Sequence, residues 1–96
     1  MRVPKNSRRG IYQCFGRAVR EARGRCALTQ TEVGRRVRLH RNYVGAVERG
    51  EINPTLRLIV KLSHGLRMRP SELLRLAELH HGGWDRTDAA DAKARS

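Results

Sequence analysis

Ninety-six residues leave room for one small domain around a single compact core. With 21 Lys plus Arg against 9 Asp plus Glu the formal charge is +12, and one Phe, two Tyr and one Trp are too few to line a deep substrate pocket. Cys14 and Cys26 show no CxxC spacing and have no clustered histidines beside them, which excludes a zinc finger and a disulfide-dense scaffold and suits a reduced thiol pair.

Nearly all the basic residues are arginine, whose planar donor fork suits phosphate oxygens and guanine edges. The charge therefore favours a polyanionic partner. Arginine enrichment from a GC-rich genome is the competing explanation of the same count. No apolar run approaches the roughly 20 residues needed to span a membrane. The opening MRVPKNSRRG is basic but is not followed by an uninterrupted apolar stretch, so no signal peptide is expected and the chain is expected to be cytoplasmic.

Residues 1–8 read as a flexible basic arm, in which Arg2, Lys5 and Arg8, with Arg9 just beyond, are phosphate candidates by charge alone. A first helix is expected over 11–23, where Phe15, Ala18, Val19 and Ala22 form one apolar stripe, and Gly24 is expected to end it. Thr29 followed by Glu32 is a capping box; it opens a short second helix over 30–37 with Val33 and Val37 inward. Residues 38–40 make a tight turn, and a third helix runs over 41–49 to a left-handed stop at Gly50.

Thr55 caps a fourth helix over 56–64, apolar all round and so expected to be buried on two sides. Pro70 opens a fifth over 70–79, with Leu73, Leu76 and Ala77 toward the core. Leu74 and Leu79 either complete the monomer core or form a homodimer face on helix 70–80. Periodicity is lost after Gly82-Gly83, so 81–96 reads as a disordered tail. Its Trp84 could dock on the domain or on a partner. Five short helices in 9–80 make an all-α, compact five-helix domain, and the second and third have the spacing of a helix-turn-helix.

With Val44 and Val47 placed toward the core, Asn42 and Arg49 lie about 170° away around the third helix, and Gly45 and Ala46 flank that outward line. The exposed face is then expected to be a low saddle able to lie deep in a major groove ~12 Å wide. Its front end carries Arg41, Asn42 and Tyr43. Arg41 can pair bidentately with guanine and Asn42 with adenine, and Tyr43 can offer its hydroxyl to phosphate or its ring to a thymine methyl. Ala46 is counted with them as a base-contacting position. Packing of the two small residues against another helix is the alternative. Arg35 and Arg36 are phosphate candidates by charge.

The run LTQTEVGRRVRLHRNYVGAVERGEINP, with GRAVREAR before it and TLRLIVKLSHGL and PSELL after it, resembles the Cro/C1-type helix-turn-helix (XRE) family. The likeness covers about residues 15–76. It implies a lambda-repressor-like fold and a regulator that reads double-stranded DNA, probing bases with Arg41, Asn42 and Tyr43. It also implies that Gln30, Arg49 and Asn53 hold the DNA backbone, that Arg23 and Glu48 form a buried ion pair, and that Gly34 lets helices two and three cross. LHRNYVGAVERG is similar to the recognition helix of restriction–modification controllers. One departure is Arg38, where the family has glycine; either a left-handed arginine or a reshaped turn is expected.

The residues offer no basis for catalysis: no serine has a His and Asp at a recognisable spacing. No cofactor or metal is expected, and His80-His81 reads as a solvent-exposed helix end. The functional expectation is a sequence-specific DNA-binding regulator, a homodimer on a two-fold operator. An antitoxin or adaptor that binds a protein partner through the same fold and its tail is the alternative, and nonspecific coating of RNA or DNA by the basic arm is a second.

Overall fold

A computed structural model describes residues 8–82. The expected contents of 1–7 and 83–96, including Arg2, Lys5, Trp84 and the tail proposed for a protein partner, lie outside the described residues. Among those described, the chain forms α1 (Arg8–Arg25), α2 (Gln30–Val37), α3 (Arg41–Glu48), α4 (Leu56–Gly65) and α5 (Pro70–His81), with no strand. α1 packs along α5 and against α3, α2 packs on α3 and α4, and α4 closes onto α5.

The core is aliphatic with one ring. Phe15, Val19, Val33, Val44, Val47, Leu62, Leu66 and Leu73 are buried at the centre, with Ala18 and Ala22 where α1 must approach closely. Each buried Val or Leu contributes about 1.5–3 kcal/mol by leaving water. Two close approaches, one at the α2–α3 turn and one where α1 meets α3, leave no room for a side chain. A Cβ on Gly34 would strike the Leu39 carbonyl, and one on Gly16 would strike the carbonyls of Val47 and Glu48. α3 is thus held against backbone on both sides.

Helix ends follow local chemistry. Thr29 accepts from the Glu32 N–H at 3.1 Å while Glu32 accepts from the Thr29 N–H at 3.0 Å, the reciprocal cap expected. The Thr29 N–H first, and its side chain second, hold the Glu32 carboxyl below its ordinary value, with nearby Arg36 and Arg35 adding to the effect. Thr55 caps α4 through the Leu58 N–H at 3.1 Å, and Glu72 reaches back to the Arg69 N–H at 3.0 Å behind Pro70. Arg38 is left-handed, with φ 57 and ψ 47. The turn keeps its shape and the arginine takes the conformation that glycine adopts without cost.

Four expectations are corrected. Gly24 lies inside α1; the stop is a left-handed Ala27, with Leu28 N–H bonded to the Arg23 carbonyl at 3.1 Å and Ala27 N–H to that of Gly24 at 3.0 Å. Arg8, placed in the arm, opens α1. α4 buries one side only: Leu58 and Leu62 are inside, Ile59 is half-buried, and Leu56 and Val60 are exposed at 74% and 47%. α5 extends to His81, which is buried, and His80 Nε2 lies 3.2 Å from Glu21 Oε1. The histidines face α1 because the helix runs two residues past the last leucine.

Candidate nucleic-acid interface

The N-terminus of α3 is closed by His40, whose Nδ1 accepts from the Asn42 N–H at 3.0 Å. That bond fixes the direction in which the first turn leaves the domain. Arg41, Asn42 and Tyr43 are exposed there as one cluster, and none of their side chains has a hydrogen-bond partner among the described residues. The following Val44 and Val47 are buried and lock the opposite side of the helix. Ala46 is half-buried on the flank. This is the arrangement expected of a short helix that presents polar side chains from its leading end.

Gly45 departs from expectation. It is buried, and what covers it is polar: a methyl placed on it would stand 3.0 Å from Arg49 Nη1 and 3.4 Å from Gln30 Oε1. The saddle exists, but these two side chains lie across it. The small residue makes room for the protein's own guanidinium and amide.

Beneath them runs the only long-range ion pair among the described residues outside the helix-end histidine contact. Arg23 Nε and Nη2 reach Glu48 Oε2 and Oε1 at 2.7 and 3.1 Å, a two-pronged contact from α1 to the end of α3. Glu48's side chain is 4% exposed and Arg23's 19%. Arg23 Nη1 also donates to the Leu28 carbonyl at 3.0 Å, and the bond to Glu48 raises its already high pKa.

Gln30 Nε2 donates to the same Glu48 Oε1 at 3.1 Å. A carboxylate can only accept, so Glu48 dictates which end of the amide faces it. The Gln30 carbonyl oxygen lies over Gly45 beside Arg49, and one N–H of the amide is left over.

The other expected backbone contacts are scattered. Arg49 is exposed and its Nε lies 3.1 Å from both carboxylate oxygens of Glu51, which raises its pKa. Arg36 Nη1 donates to the Gly65 carbonyl at 3.2 Å, so it leans toward α4. Asn53 is exposed on the α3–α4 loop, at the edge of an apolar groove of about 370 Å³ lined also by Ile11, Phe15, Pro54, Leu74 and Ala77. The structure thus brings Gln30, Arg49, Arg23 and Glu48 into one network with Arg41–Tyr43 in front, and leaves Arg36 and Asn53 apart. The sequence reading missed Glu51. An acidic residue directly after the helix-ending glycine was its only signal.

A helix-turn-helix family model matches residues 19–73, which include every member of the network. The chain belongs to the Cro/C1-type helix-turn-helix family. It is a sequence-specific DNA-binding transcriptional regulator. Control protein C.BamHI from Bacillus amyloliquefaciens is 36% identical over 65 residues, 67% of this chain and 80% of that protein. The restriction–modification controller C.AhdI from Aeromonas hydrophila is 40% identical, with a TM-score of 0.63 over 65% of this chain and 94% of that one. The clp gene regulator ClgR from C. glutamicum shares the fold, at 24% identity and a TM-score of 0.69 over 71% of this chain and 88% of that one. No described helix is long and apolar enough to cross a membrane.

Proposed function

We propose that this regulator inserts α3 into the major groove of a two-fold operator, with Arg41, Asn42, Tyr43 and Ala46 at the base edges. Gln30, Arg49 and Asn53 grip the sugar–phosphate backbone. Arg36 reaches phosphate only with the donors that Gly65 leaves over. The observation that carries this reading is the exposed Arg41–Asn42–Tyr43 cluster at the leading end of a helix whose other side is anchored by Val44, Val47 and the Arg23–Glu48 pair. Positioning demands a rigid support and reading demands free donors; both meet in α3. The relative named as a restriction–modification controller supports a cytoplasmic role in controlling the expression of such a system.

The protein acts as a homodimer through helix 70–80. Leu74, 40% exposed, stands at the rim of the groove between α1 and α5. A two-fold pair reads half-sites ~34–36 Å apart, and one head alone makes few contacts. Selection from random duplexes, carried out with wild type and Arg41→Ala, tests the reading. Wild type enriches a two-fold motif, and the variant loses preference at one base of each half-site, worth about 1–3 kcal/mol there. Uniform weakening across all sequences would move Arg41 to the phosphates, and failure to enrich any motif would remove the proposal.

A further inference from the structure

The recognition helix ends in a built turn. Glu48 is its last residue and Arg49 its C-cap, Gly50 is left-handed at φ 76, and the Glu51 N–H bonds back to the Ala46 carbonyl at 3.0 Å. Gly50 sits hard against Gln13 of α1, so a side chain there would collide with that backbone at 2.8 Å. The reversal is therefore fixed by packing. It folds Glu51 beneath the side chain of Arg49, two residues earlier.

We propose that Glu51 is a positioning residue for DNA binding, holding the Arg49 guanidinium by Nε so that its terminal N–H edge lies across Gly45 beside Gln30 and faces the duplex. The inference rests on the reading of Arg49 as a DNA contact given above. Its support is which atoms are engaged. Both Glu51 oxygens converge on Nε at 3.1 Å, while Nη1 lies over Gly45 next to the carbonyl oxygen of Gln30. An arginine pairs bidentately with phosphate or guanine through two parallel N–H groups, and an anchor on Nε leaves the Nη1–Nη2 edge for that use. A long side chain on an open surface otherwise spreads over many rotamers, and ordering it on binding weakens affinity.

The sign of one measurement decides the matter. Electrostatics alone predicts that removing a carboxylate near a polyanion tightens binding. Positioning predicts the reverse. Using the full chain and the operator enriched by wild type, anisotropy titrations of Glu51→Ala are expected to show affinity about 3- to 10-fold weaker. Glu51→Gln, which keeps an oxygen to accept from Nε, retains most of the wild-type affinity. In an Arg49→Ala background Glu51→Ala causes no further loss, and Arg49→Ala alone lowers the salt slope by about 1. Circular dichroism of each variant checks that the fold is kept, as the exposure of both side chains leads one to expect. Equal or tighter binding by Glu51→Ala overturns the inference while leaving the general reading intact, as does a loss that persists without Arg49. A wild type that selects no operator, or Arg49→Ala binding as tightly as wild type, overturns both.

Discussion

At single positions the structure separates stability from binding. Gly45 lies inside α3, where alanine is favoured over glycine by about 1 kcal/mol. A methyl there meets only the ends of two flexible side chains, Arg49 and Gln30, which can move aside. Gly45→Ala is therefore expected to unfold at higher urea, gaining up to about 1 kcal/mol, and yet to bind operator less tightly because the guanidinium and amide are pushed out of line. Parallel urea melts and anisotropy titrations check it; a variant that gains in both would show that the covering side chains are irrelevant to DNA. Arg38 offers a cleaner case. Its left-handed backbone costs an arginine roughly 1–2 kcal/mol, so Arg38→Gly should raise the melting temperature through a net gain of about 1 kcal/mol once glycine's larger unfolded-state entropy is counted. The exposure of the leading end was legible at this scale, Asn42 and Arg49 from helix angle and Arg41 and Tyr43 from their place in the first turn. The cover over Gly45 was not. Angle says which way a residue points, and it is silent on whether a neighbouring helix sends a side chain across it.

Among elements, the pair that ties α1 to α3 matters most. Glu48 accepts from Arg23 and from Gln30 with its side chain almost wholly out of water. Removing one partner of such a pair strands the other, and Glu48→Ala or Arg23→Ala is expected to cost about 3–5 kcal/mol in urea denaturation, toward the lower figure since Arg23 keeps partial access to solvent. The cap of α2 responds to acid instead. Glu32's carboxyl is held below its ordinary value of 4.5 by the bonds to Thr29. A group depressed in the folded state contributes stability at pH above its unfolded value, and that contribution is lost as pH falls through the folded one. Denaturant melts should therefore show wild type losing stability below about pH 4.5, with that part of the loss absent in Glu32→Gln. The five helices were legible because each carries a local signal: a Thr cap, an N1 proline, an apolar stripe. α4 shows where such signals run out. Apolar residues all round suggest two buried sides, but burial depends on which helices arrive, and Leu56 and Val60 stay largely exposed. The end of α1 escaped for a related reason: Ala27 adopts a left-handed turn that its residue type does not advertise.

For the molecule as a whole, the open question is how one small head gains a strong operator. Its α1–α5 side carries an apolar groove of about 370 Å³ rimmed by Ile11 and Leu74, each at least 40% exposed. Leu79, 69% exposed, lies about 140° around α5 from Leu74 and so belongs to a different face. The two leucines read together in the sequence thus part company in space, and the dimer reading now rests on Leu74. A glutamate at 74 would put charge at the groove rim without entering the monomer core, so Leu74→Glu should keep the wild-type helical content and melt close to it. Joining two reading heads raises the effective concentration of the second, an avidity gain of about 10²–10⁴ on a site that both can engage. In sedimentation equilibrium the wild type is expected to dimerise and the variant to remain monomeric. On the full two-fold operator the variant should bind at least about 100-fold more weakly, whereas on an isolated half-site the two proteins should be equal. A wild type that stays monomeric at high micromolar concentration with operator present would sink the dimer. Weaker binding of the variant to the half-site would instead place Leu74 in the reading head, where the position of α5, packed on α1 and α4, gives it no reason to be.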